Sequence, residues 1–127
     1  LFTAFALVNY LQCSATKKDN NGRETPTGAA TADMKLNCKM HFMSNLHILK
    51  PNILIVQSSG YWANIADDLI LTTTGGLAST RLSVESEPTW ILPFRHPARS
   101  WHSPNCKYWQ NTVKPTLRLV REQIGIA

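Results

Sequence analysis

The stretch ILPFRHPARSW, residues 91–101, sets how the rest of the chain is read. The apolar run Trp90-Ile91-Leu92-Pro93-Phe94 carries straight into Arg95-His96-Pro97-Ala98-Arg99. A continuous apolar run of this length reads as a strand buried on both faces, as in a parallel sheet. It ends on a histidine that a proline pins and two arginines flank. That pattern places a polar donor at the tip of a rigid element.

Two more runs of the same kind precede it. AFALVNYLQC, residues 4–13, and NILIVQSS, residues 52–59, are apolar and rich in strand formers. Between them, residues 14–28 are polar with Gly and Pro, which predicts a long loop. Residues 31–50 predict a helix with Thr31 as N-cap, Asp33 in the first turn and Pro51 as the stop; Cys38, Phe42, Leu46 and Leu49 share one face. Gly60 turns the chain into a short helix over 61–71. Residues 72–88 read as a loop with an edge strand around Arg81–Val84. Beyond the histidine, residues 105–113 and 116–124 are helical, with Pro115 dividing them; Leu117, Val120 and Ile124 share a face.

Strand and helix therefore alternate, which predicts a three-layer α/β/α sandwich around a central, mainly parallel sheet. In such sheets ligands bind beyond the carboxyl ends of the strands. Cys13, the Ser58-Ser59-Gly60 turn and His96 all fall there. The 127 residues form one expected domain, 1–127, large enough to bury a core. Hydrophobic residues at 43% and charged residues at 17% exclude a disordered chain. No apolar run approaches the roughly 20 residues that span a bilayer, so no membrane partner is expected. Three cysteines, an odd number, argue against a secreted disulfide scaffold and for a cytoplasmic setting. The chain opens on Leu1 inside an apolar run, and further sequence is expected before it.

The net charge is +5, and residues 88–127 account for all of it: Arg95, Arg99, Lys107, Lys114, Arg118 and Arg121 stand against Glu122 alone. With Trp101, Tyr108 and Trp109 interleaved, this end suits a polyanion. It equally suits a solvated helix face.

The ordered set Asn9, Cys13, Cys38, Leu49-Lys50-Pro51, Gly60 and His96-Pro97-Ala98 resembles the uracil-DNA glycosylase superfamily. It is closest to the bacterial and archaeal branch that carries an iron–sulfur cluster, and to that branch's uncharacterised relatives. The resemblance covers nearly all of residues 4–127. It implies the glycosylase-like sandwich, N-terminally incomplete, because the family's water-positioning loop, its base-stacking aromatic and its first cluster cysteines lie upstream of the Asn-bearing strand. It implies DNA as partner, a monomer at full length, and hydrolysis of the N-glycosidic bond of a flipped uracil or related damaged base in base-excision repair. A non-catalytic nucleic-acid-binding module of the same fold is the alternative. Residues 1–127 alone are expected to be inactive and to associate.

The resemblance also assigns roles. His96 would donate to the pyrimidine oxygen on which charge develops, stabilising the transition state over the ground state. Asn9 would read the uracil N3–H and O4 edge with one donor and one acceptor. Arg95, Arg99, Ser100 and Trp101 would contact DNA, Trp101 as a wedge in the minor groove. Cys13 and Cys38 would supply two of four ligands to a [4Fe–4S] cluster. Each residue also has a plain structural reading. His96 can be a backbone-satisfied cap, Asn9 a buried tie from strand to loop, and the cysteines small buried residues. Trp101 can be core, as Trp62, Trp90 and Phe94 are read. A zinc site from Cys38, His41, His102 and Cys106 lacks a matching second pair and is weak.

Overall fold

The computed structural model describes residues 15–27, 32–57, 59–95 and 106–125. The expected first strand (4–13) and the expected N-cap Thr31 lie outside them. Contacts divide the chain into two compact units, one ending at Leu49 and one running from Lys50 onward.

In the first unit, β1 (Ala15–Lys18) and β2 (Glu24–Thr27) pair antiparallel. This corrects the expected loop over 14–28. The turn between them is built by Asp19. Its Oδ1 accepts from the backbone N–H groups of Asn21 and Arg23 at 2.8 and 2.9 Å, and Gly22 takes φ +75. An Asp that bonds its own backbone two residues on, followed by a left-handed Gly, is a turn device. α1 (Ala32–Leu49) follows, with Cys38, Phe42 and Leu46 buried at four-residue spacing. Leu49, expected on that face, is half exposed. Lys50 then adopts φ +44 ahead of Pro51, so the helix ends in a left-handed residue without glycine.

The second unit holds a four-stranded sheet in the order β3-β6-β5-β4, formed by β3 (Ile53–Val56), β4 (Leu71–Thr74), β5 (Leu77–Thr80) and β6 (Thr89–Pro93). Only β3 and β6 are parallel; β5 pairs antiparallel with both β6 and β4. The three-layer, mainly parallel sandwich of the uracil-DNA glycosylase type is therefore not what the described residues form. The reason lies in the connections. β4 and β5 are joined by Gly75-Gly76 alone, at φ +58 and +81, which is the backbone of a tight hairpin turn. Residues 81–88, which join β5 to β6, are also too short for a parallel crossover, which needs a dozen residues or more. α2 (Ser59–Ala66) is shorter than the helix expected over 61–71, because the chain turns at residues 67–69 to enter β4. The edge strand expected at Arg81–Val84 is instead a turn, closed by Ser86 Oγ, which donates to the Ser83 carbonyl at 2.9 Å and accepts from the Ser83 N–H at 3.1 Å.

β6 is the centre of this unit, buried from Thr89 through Leu92. Alternation along it sends Trp90, Leu92 and Phe94 to the side where they pack with Leu77, Val113 and Val120. The last two come from a helix that runs from Lys107 to Gln123. Its regular part, α3 (Lys114–Gln123), is preceded by a π-helical turn over Trp109–Val113. Pro115 explains that turn. It has no N–H for the Asn111 carbonyl, and its ring would crowd that carbonyl in a regular helix. The wider turn relieves this, with the Lys114 N–H bonded to Trp109 O, five residues back. Pro115 thus shapes one helix rather than separating two. Two buried threonines tie the sheet to its entry segments: Thr89 Oγ1 donates to Pro51 O at 2.6 Å and Thr80 Oγ1 to Ile70 O at 2.9 Å. Among the described residues no helix is long and apolar enough to cross a membrane.

Candidate nucleic-acid interface

α3 is amphipathic in a specific way. Val120, with Leu117 and Ile124 beside it, faces the core cluster. Lys114, Arg118 and Arg121 are exposed. At 100° per residue these three fall within about 60° of one another, and they span about 10 Å along the axis. The last helical turn carries Arg121, and Gly125 closes the helix at φ +70, its N–H bonded to Glu122 O at 3.3 Å. A cation near a helix C-terminus is favourable against the carbonyl end of the dipole, which suits Arg121.

At the other end of the same helix, Arg95 meets Tyr108. The Arg95 N–H donates to Tyr108 Oη at 3.0 Å, and its guanidinium lies 4.7 Å from the ring centroid. Tyr108 itself packs against the core cluster, as do Trp109 and Cys106. The stacked guanidinium is therefore carried on a braced ring rather than on a loose side chain. Lys107, exposed, precedes Tyr108. A row of exposed cations with one guanidinium fixed on an aromatic face can contact a string of phosphates. Glu122 is the one acidic residue between positions 88 and 127.

Of the residues expected at a site, Arg95 and Cys38 are described. Asn9, Cys13, His96, Arg99, Ser100 and Trp101 lie outside the described residues, as does the expected approach of Asn9 to His96. Cys38 is buried within α1. One thiol does not hold a cluster, and among the described residues no three His, Cys, Asp or Glu side chains gather to hold a metal ion. Trp90 and Phe94 are buried and Trp62 is partly buried.

Sequence reading counted the basic residues of this end and noted Tyr108 among them, but missed their phase and the pairing of Arg95 with Tyr108. The phase was available, since positions 114, 118 and 121 are spaced by four and three. The pairing with Tyr108 was not, because nothing local joins residues 95 and 108. No family model, characterised protein or solved structure matches the chain.

Proposed function

We propose that the unit from residue 50 onward is a nucleic-acid-binding module that contacts the phosphate backbone through Lys114, Arg118 and Arg121, with Arg95 on Tyr108 at the head of the same helix. The observation that supports this is the exposed basic stripe, on a chain whose whole net charge resides in its last third. Such a surface binds without sequence preference, because phosphate contacts position a protein but read no base. Three neutralised phosphates give log K against log salt a slope of about −2.7 on duplex DNA. Titration of the full chain with a fluorescent random-sequence duplex at several salt concentrations measures it. Absence of binding, or binding that ignores salt, would leave the stripe as a solvated helix face.

A second reading, excision of a flipped uracil or related damaged base, draws on the parallel pairing of β3 with β6. Parallel strands bring their carboxyl ends to one edge of a sheet, and here those ends precede α2 and His96 respectively. His96 would then be the donor to the departing base and Asn9 the group that reads it. In a protein that excises uracil, His96→Ala lowers the rate by about a hundredfold or more. Unchanged excision by that variant rules the second reading out.

A further inference from the structure

A groove of about 450 Å³ runs along the β4–β5 hairpin, on the opposite flank of α3 from the basic stripe. Gln123 walls it: its Nε2 lies 3.6 Å from where a Cβ on Gly75 would sit. Gln123 is about 140° round the helix from Arg118, so the groove and the stripe are separate surfaces.

The pairing register explains the lining. Thr72 sits opposite Ser79, and Ser79 opposite Trp90, so all three share one face of the sheet. Thr74, two residues on, joins them. Ser79 is only 6% exposed, yet its hydroxyl makes no hydrogen bond to another described residue; nor do those of Thr72 and Thr74. These hydroxyls line the groove, where water or a ligand can bond them. The groove therefore presents a row of hydroxyls with an amide at one end. At its rim Arg81 is steadied through Nη1, which donates to Ser86 O at 2.7 Å, leaving its other N–H groups without a partner among the described residues. Ile70, Pro88 and Trp90 form an apolar wall, and no carboxylate lines the groove.

We propose that this groove binds a phosphorylated sugar. Hydroxyl and amide groups both donate and accept, which matches ring hydroxyls that do the same. The apolar wall takes the C–H face of the ring. Trp90, 7% exposed, offers too little indole surface to stack a base across its full face, which favours a sugar ring over a nucleobase. Arg81 takes the phosphate, for which a guanidinium is the fitting donor, and no carboxylate lines the groove. The phosphorylated sugar can come free or as the ribose phosphate of a nucleotide. The inference is independent of the proposed phosphate-backbone contact on α3.

The test is a nitrogen–proton correlation spectrum of the full chain titrated separately with ribose phosphate, uridine monophosphate, free ribose and inorganic phosphate. Ribose phosphate is expected to bind in the millimolar range or tighter and to shift amides of residues 70–74, 79–81 and 123, leaving 114 and 118 unmoved. Ser79→Ala and Arg81→Gln should each weaken it about tenfold. Thr72→Val, an exposed change that keeps the side-chain shape, should weaken it in a protein whose unliganded spectrum is unchanged. Tighter binding of uridine monophosphate would support the site and identify a nucleotide as the source; equal or weaker binding would support it and identify a free sugar phosphate. No shift at millimolar ribose phosphate, equal shifts with inorganic phosphate or with ribose alone, or full binding by Thr72→Val and Ser79→Ala would overturn it.

Discussion

Arg95 and Tyr108 hold each other twice: the backbone N–H of Arg95 donates to the Tyr108 hydroxyl at 3.0 Å, and the Arg95 guanidinium covers the Tyr108 ring at 4.7 Å. Arg95 follows the last strand of the sheet and Tyr108 stands in the first turn of the last helix. The pair therefore joins the exit of β6 to the helix that carries the basic stripe.

Tyr108→Phe keeps the ring and removes the acceptor. The expected loss is about 0.5–1.5 kcal/mol of unfolding free energy, as for a typical single hydrogen bond, with faster hydrogen exchange at the Arg95 amide. Tyr108→Leu should cost about 0.5–1 kcal/mol more, because it also removes the cation–π interaction. Urea titration and amide exchange measure both. An unchanged exchange rate at Arg95 in Tyr108→Phe would mean that the bond does not persist in solution.

Neutralising the stripe one residue at a time should lower the salt slope of nucleic-acid binding by about 0.9 for each phosphate no longer neutralised. Arg118→Gln and Lys114→Gln are the clean variants, because both side chains are exposed and outside the core. Glu122→Gln removes the one acid between positions 88 and 127 and should strengthen binding at low salt. Equal affinities for all three variants across the salt range would dissociate binding from α3.

Leu92 is 0% exposed at the centre of β6, packed with Phe94, Leu77, Val113 and Val120. Leu92→Ala leaves a cavity that strand and helix cannot close together without giving up other packing. The expected cost is about 3–5 kcal/mol, measured by denaturant unfolding of this unit. A cost below about 1 kcal/mol would contradict the packing of α3 on this face.

Thr89 is 2% exposed and its hydroxyl satisfies the Pro51 carbonyl at 2.6 Å. Thr89→Val preserves shape and leaves that carbonyl without this donor. Stability should fall by about 1–3 kcal/mol, the cost of an unsatisfied buried group. Thr89→Ser, which keeps the donor, should recover most of the loss.

Two left-handed positions carry opposite residues, and swapping their chemistry should move stability in opposite directions. Lys50 at φ +44 bears a Cβ where glycine is favoured, so Lys50→Gly should gain up to about 1 kcal/mol. Gly76 at φ +81 has nothing within 4 Å of a Cβ, so space is no obstacle there. Gly76→Ala should still lose about 1–2 kcal/mol, because the hairpin requires that backbone conformation. Thermal unfolding of the two variants gives the comparison; a neutral Gly76→Ala would mean that the turn relaxes.

Local pattern alone accounts for the elements whose burial does not depend on a distant neighbour. The apolar run at 89–94 is a buried strand because nothing else accommodates Trp90, Ile91, Leu92 and Phe94 in succession. The run at 52–59 contains β3, and the Cys38, Phe42, Leu46 spacing marks the buried stripe of α1. The clustering of cations toward the end of the chain, and their phase on α3, are likewise in the sequence. The remaining elements took shape only in the assembled fold. Leu71–Thr74 and Leu77–Thr80 are short and rich in threonine, so their polarity resembles a loop; Leu77, Ser79 and Thr80 become buried only once β5 lies beside β6. Gly75-Gly76 carried the hairpin signal, but the weight of an alternating strand–helix pattern pointed to crossovers that connections of this length cannot make. The partner of Arg95 was not legible at all. A guanidinium meets a ring thirteen residues away only because the sheet fixes where β6 ends and the core fixes where the last helix begins.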